Sequence, residues 1–138
     1  MKNLIPLLAL TAILPLAASA QQFSMREANG VRWVCGGVGT EERDALASLA
    51  AESNLSLVFT TAQRGAYVAD VSVALYDAGA KKPRLEIQAD GPVCMLHAPQ
   101  GRYRVQASFN GTTRTSAAVV AQDAKKPARV VLVFPGDE

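Results

Sequence analysis

The sequence predicts a mainly-β fold, a Greek-key sandwich of about seven strands with one N-terminal amphipathic helix. Two patterns carry that prediction. Beyond Leu55, apolar residues fall on alternate positions in short runs separated by Gly, Pro and Asn. That is the signature of strands with one buried face. Before Leu55, one stretch repeats at helical spacing instead. Residues 98–115 show the first pattern most clearly. There Tyr103, Val105, Ala107 and Phe109 alternate with Arg102, Arg104, Gln106 and Ser108.

The chain opens with a basic Lys2, an apolar run from Leu4 to Leu16 and the small residues Ala18-Ser19-Ala20. These are the parts of a secretory signal peptide, residues 1–20, cut after Ala20, and they place the protein in the periplasm or outside the cell. No later run approaches the roughly 20 apolar residues of a membrane span, and no Cys stands at the cleavage point to take a lipid. Removing twenty residues from the 138 leaves 118, the size of one domain. Residues 21–30 are polar and read as a flexible segment, 31–134 as the single sandwich domain with an N-terminal β-α unit, and 135–138 as a polar tail.

Within the domain, Val31, Trp33 and Cys35 alternate with Arg32 and Val34 as a short strand. Gly36-Gly37-Val38-Gly39 breaks it. Thr40 then reads as a helix N-cap, with Glu41 and Glu42 suiting the positive helix end. Ala45, Leu46, Leu49 and Ala50 form the apolar stripe of a three-turn helix ending near Ser53-Asn54. Leu55, Leu57 and Phe59 begin the period of two. Gln63-Arg64-Gly65 is a turn, after which Tyr67, Ala69, Val71, Val73 and Leu75 make the inward face of a long strand, with Asp70 and Ser72 outside. A loop at 77–83 leads to Leu85, Ile87 and Ala89, with Glu86 and Gln88 outward. Asp90-Gly91-Pro92 turns the chain into 93–98, mostly apolar as a central strand would be. A Val-rich strand at 128–134 follows Lys125-Lys126-Pro127. The strands are expected to be antiparallel.

The hairpin at Asn110-Gly111 has two possible registers. A two-residue loop puts Arg114 on the face of Phe109. A three-residue loop with Gly111 left-handed turns Thr113, Thr115, Ala117 and Val119 to the core and sets Gln106 opposite Arg114. The apolar pattern favours the second. In that register Arg102, Arg104 and Arg114 share one exposed face, a candidate partner-binding patch for phosphate or carboxylate groups. The plainer alternative is a solvated strand surface.

Two cysteines, Cys35 and Cys94, both follow the leader. In an oxidising compartment such a pair reads first as a disulfide, with two buried free thiols as the alternative. Charge sets few demands. Lys and Arg number 14 and Asp and Glu 12, and discounting Lys2 leaves a net charge of +1. That balance calls for neither nucleic acid nor an anionic membrane.

Three segments together resemble a known family. Ala69-Asp70-Val71-Ser72-Val73 with Asp77 and Gly79, then Leu96 with Pro99-Gln100-Gly101-Arg102-Tyr103-Arg104-Val105, then Asn110-Gly111, are similar to the carboxypeptidase regulatory-like domain, a transthyretin-type (prealbumin-like) sandwich. Residues 35–43, CGGVGTEER, resemble the opening of small exported proteobacterial proteins that carry it. The resemblance covers residues 34 to 134. It implies a prealbumin-like fold and an accessory role without peptidase activity. Function does not follow from fold alone.

Catalytic signatures are missing from the pattern. The glycine run has neither the lysine of a phosphate loop nor the spacing of a dinucleotide fold, and reads as a tight strand-to-helix turn. His97, the single histidine, sits in an apolar strand with no nucleophile motif beside it. Cys94 and His97 lack the further ligands of a zinc site, and no cofactor is implied. Trp33, Tyr67 and Tyr103 read as core packing rather than a sugar platform. The expectation is a non-catalytic binding or interaction module of the cell envelope, not an enzyme. Its partner is an envelope protein or an anionic polymer. Two alternatives stand beside it: a module for an anionic glycan or small molecule at the arginine face, and a small hydrolase.

Overall fold

The computed structural model describes residues 24–121 and 127–136. The leader with its cleavage point, Lys125, Lys126 and the last two residues of the tail lie outside these. Among the described residues, the chain runs β1 (Arg26–Ala28), β2 (Val31–Gly36), α1 (Gly39–Leu49), β3 (Leu55–Thr61), β4 (Val71–Asp77), β5 (Leu85–Ala89), β6 (Val93–His97), β7 (Gly101–Phe109), β8 (Thr112–Val120) and β9 (Ala128–Phe134). A 3-10 turn at Ala50–Glu52 extends the helix. The fold is mainly β and sandwich-like. One sheet, A, has the order β1-β2-β6-β3-β9, and the other, B, the order β5-β4-β7-β8.

The core lies between the sheets. Leu55, Leu57, Phe59, Leu96 and Phe134 from sheet A meet Val71, Leu75 and Val105 from sheet B, each almost fully buried. These are the alternate residues of the sequence pattern, which is why most strands were legible. The helix packs elsewhere. Val34 and Val58 have the opposite parity to the core residues of β2 and β3, yet both are buried, as is Leu46 of α1. Ser53, just after the 3-10 turn, bonds the sulfur of Met95. Helix α1 therefore covers part of the outer face of sheet A, over β2, and leaves Val131 and Val133 of β9 exposed.

Several expectations are corrected. The helix is internal, between β2 and β3. Its N-cap is Val38, the residue with extended backbone (φ −87°, ψ 111°), and no side chain caps it. Thr40 already lies inside the helix. Among the described residues nine strands stand where about seven were expected, and β9 runs parallel to β3 instead of antiparallel. Part of the polar segment at 21–30 is a strand, for β1 pairs with β2 through a loop at Asn29-Gly30. Tyr67 is not core; it is 64 % exposed. The run of alternation is cut at Asp70, whose φ of 61° is left-handed, so β4 begins only at Val71 and Tyr67 merely bridges to Thr60.

The Asn110-Gly111 hairpin takes the register not expected. Phe109 pairs with Thr112, Ala107 with Arg114 and Gln106 with Thr115. Asn110 and Gly111 both have positive φ, 53° and 82°. A two-residue loop with both residues left-handed matches the natural twist of a hairpin, and Asn-Gly is its preferred sequence. The apolar pattern misled because Ala117-Ala118-Val119-Val120 offers an apolar residue to either face. The structure buries Ala118 and Val120 and leaves Val119 61 % exposed.

Candidate functional site

The cysteines are joined. Cys35 and Cys94 face each other across β2 and β6, with Cα atoms 4.1 Å apart, and the bond closes a sequence separation of 59. Both are buried. Beside them, a Cβ added to Gly91 would stand 2.3 Å from the carbonyl oxygen of Gly36. Of the glycine run, Gly36 meets this approach with its backbone, and Gly37 and Gly39 take left-handed φ of 103° and 83° in the turn into the helix. His97 lies across from Arg32 on the side of β6 opposite to Cys94 and Leu96. Among the described residues, no group of three or more His, Cys, Asp or Glu is placed to hold a metal ion. No helix among them is long and apolar enough to cross a membrane.

The three arginines do not share a face. Arg102 and Arg104 point outward from β7 with Gln106 and Ser108. Arg114 has the parity of Phe109 and reaches over the rim, where its Nε donates to the carbonyl of Val133 at 3.0 Å. Its role is to lace the edges β8 and β9 together. The opposite edge is laced by Arg84. Its guanidinium donates to both carboxylate oxygens of Asp77, at 2.8 and 2.9 Å, and to the carbonyl of Asn29. The Asp77 hydrogen bond raises the Arg84 pKa, against the opposing effect of burial. This is the one ion pair among the described residues.

The cations that do gather are Arg102, Arg104, Lys81 and Lys82, at one end of sheet B. The amide N–H of Ala78 donates to the Arg102 carbonyl, which brings the β4–β5 loop beside β7. Arg104 stacks on Tyr76, with its Cζ 4.3 Å from the ring centroid, and its guanidinium reaches the Ala80 carbonyl. The lysine half of this group was read in the sequence only as loop.

The rest of the outer face of sheet B is polar and short. Register aligns Gln88, Ser72, Ser108 and Thr113 in one row and Glu86, Ala74, Gln106 and Thr115 in the next. Ser72 donates to the Gln88 side-chain oxygen at 2.9 Å, and Ser108 and Thr113 hydroxyls bond at 2.9 Å. The central strand β4 carries the small side chains, Ser72 and Ala74, and its neighbours carry the long ones. The result is a trough of about 450 Å³ along β4, ending at Tyr76. The alternation in β4, β5 and β7 signalled which residues face outward. It did not signal that the small ones lie between long ones, because that depends on sheet order. A second depression, about 640 Å³, lies at the far end of the sandwich against Thr61, Arg64, Val68, Phe109 and Pro135.

Comparison with protein-family models, with curated proteins and with solved structures found no match to this chain.

Proposed function

We propose that this protein is an exported, non-catalytic binding module of the cell envelope, with the outer face of sheet B as its working surface. One observation carries the reading: the two outer faces differ. The helix covers part of that of sheet A, over β2, and leaves Val131 and Val133 of β9 exposed, while that of sheet B carries aligned hydroxyl, amide and charged groups with no helix over it. Export is supported by the leader pattern and by the disulfide, which persists in oxidising compartments. The resemblance to the carboxypeptidase regulatory-like domain points the same way, to a prealbumin-like accessory domain without peptidase activity. The test is co-sedimentation of the purified mature chain with isolated cell-wall sacculi and with outer-membrane vesicles. Thr115→Arg, outward on the edge strand β8 beside Gln106, abolishes the co-sedimentation on this reading; unchanged binding removes it. Intact mass from the periplasm checks cleavage before Gln21 and the oxidised cysteine pair.

A second reading rests on the cation group. Arg102, Arg104, Lys81 and Lys82 would take an anionic glycan or small molecule through charge-assisted hydrogen bonds. Replacing Arg102 and Arg104 by Glu then ends binding to an anionic polymer, and replacing Arg114 leaves it unchanged. Equal losses from both changes would return Arg114 to the site.

A further inference from the structure

The trough along β4 has a chemistry of its own, distinct from the basic end of the face. Its walls are the amides of Gln88 and Gln106 and the carboxylate of Glu86. Its floor is Ser72 and Ala74, and the ring of Tyr76 closes one end. The lining holds one formal charge, negative, and no cation. Arg104 is the cross-strand partner of Tyr76, and its guanidinium sits over that ring. Among the described residues, the Gln106 amide, the Glu86 carboxylate and the Gln88 side-chain nitrogen have no hydrogen-bond partner. Gln88 is already oriented, because its oxygen accepts the Ser72 hydroxyl. An amide presents donors and acceptors together, and a carboxylate accepts only. That mixture matches a ligand whose hydroxyls both donate and accept. Within the lining an anionic chain would meet Glu86 and no cation.

We infer that this trough binds a short, uncharged stretch of glycan, held by Gln88, Gln106 and Glu86 with Tyr76 at its end. The inference rests on the reading of sheet B as a binding face and names the ligand class. The trough is open and its lining is mostly polar, so the affinity is weak for a single short chain, in the millimolar range.

The experiment is a titration of the disulfide-intact mature chain, followed by amide chemical shifts. The neutral probes are chitotriose, cellotriose and maltotriose; trigalacturonate is the anionic probe. At least one neutral trisaccharide gives saturable shifts confined to β4, β5 and β7, and trigalacturonate binds more weakly. Ala74→Arg fills the trough from a position outside the core and weakens binding by about tenfold or more. A Gln88→Ala, Gln106→Ala double variant adds no bulk and weakens it by a similar factor. It guards against a folding defect in the first, and thermal melts of both variants match the parent. The inference falls if no neutral probe saturates, if trigalacturonate binds tighter, or if both variants bind like the parent. Sacculus binding that depends on Thr115 without any trisaccharide binding overturns the glycan trough and leaves the binding module standing. Trisaccharide binding without envelope binding does the reverse.

Discussion

The two sheets are built by different means. Sheet B joins near neighbours in sequence: β4 to β5, and β7 to β8 through a two-residue loop. Sheet A gathers β1, β2, β6, β3 and β9 from the whole length of the domain, and its last strand is parallel. Contacts distant in sequence cost more chain entropy to close. The fastening devices accordingly collect on sheet A: the disulfide, the glycine contact between Gly36 and Gly91, the helix cover and a buried asparagine clip. Sheet B has few of these, and its outer face carries polar groups of which Gln106 and Glu86 make no cross-strand hydrogen bond among the described residues.

The disulfide is the largest device. Closing a loop of 59 residues is worth about 4 kcal/mol in the chain-entropy model. A Cys35→Ala, Cys94→Ala double variant is expected to lose about that much in urea unfolding of the purified mature chain. A loss under about 1 kcal/mol would mean that β2 and β6 meet as firmly without the bond.

The next effect tests the cover over sheet A. Val58 faces outward from β3 yet is only 8 % exposed. Val58→Asp puts an unpaired charge at this buried outward position and is expected to cost about 3 kcal/mol or more by the same measurement. Asn54 follows. Its side-chain nitrogen donates to the Ala98 carbonyl at 2.7 Å and its oxygen accepts the Ala98 N–H at 2.9 Å. The side chain thus pairs like a strand residue where β3 and β6 begin to part. Asn54→Ala leaves two buried backbone groups without partners and is expected to cost about 2 kcal/mol.

How much of this was readable in the sequence depended on whether one face of a strand is buried alone. In β7 it is, and the alternation from Tyr103 to Phe109 gave the faces correctly. In β8 both parities offer apolar residues at positions 117–120, so the register rested on the loop. There the positive φ of both Asn110 and Gly111 settled what the pattern left open. β1 escaped because Arg26-Glu27-Ala28 on an edge needs no apolar alternation, although Asn29-Gly30 is the same loop signal. The disulfide pairing was legible from count and compartment. The arginine patch was not, since one residue of slip moves Arg114 to the other face. The trough was hidden for another reason: it requires knowing that β4 lies between β5 and β7.

Sheet B supplies one smaller effect with a pH signature. Tyr103 is buried and its hydroxyl donates to the Pro99 carbonyl. Burial raises its pKa, with Arg84 drawing it the other way. A raised folded pKa means that the native state holds the proton more tightly than the unfolded chain. That contribution is complete below the unfolded value of about 10 and is lost as pH rises through the folded one. Tyr103→Phe is expected to cost about 1 kcal/mol at neutral pH, from the lost hydrogen bond. It should also flatten the decline of stability in alkaline solution. Urea unfolding of parent and variant across that range checks both; parallel declines would show that folding leaves the Tyr103 pKa unchanged.

The smallest effect completes the contrast with Val58. Thr115 also faces outward, from β8 opposite Gln106, but nothing covers it and it is exposed. Thr115→Lys adds length and charge at a strand position that needs neither. It is expected to change stability by no more than about 0.5 kcal/mol. The difference between this value and that of Val58→Asp measures how far the two outer faces differ, since both residues lie away from the core of the sandwich. A cost for Thr115→Lys close to that of Val58→Asp would mean that the sheet B face is covered in solution. The cover would then be a second copy of the chain, and size-exclusion chromatography of the parent and the variant would show a dimer in the first and a monomer in the second.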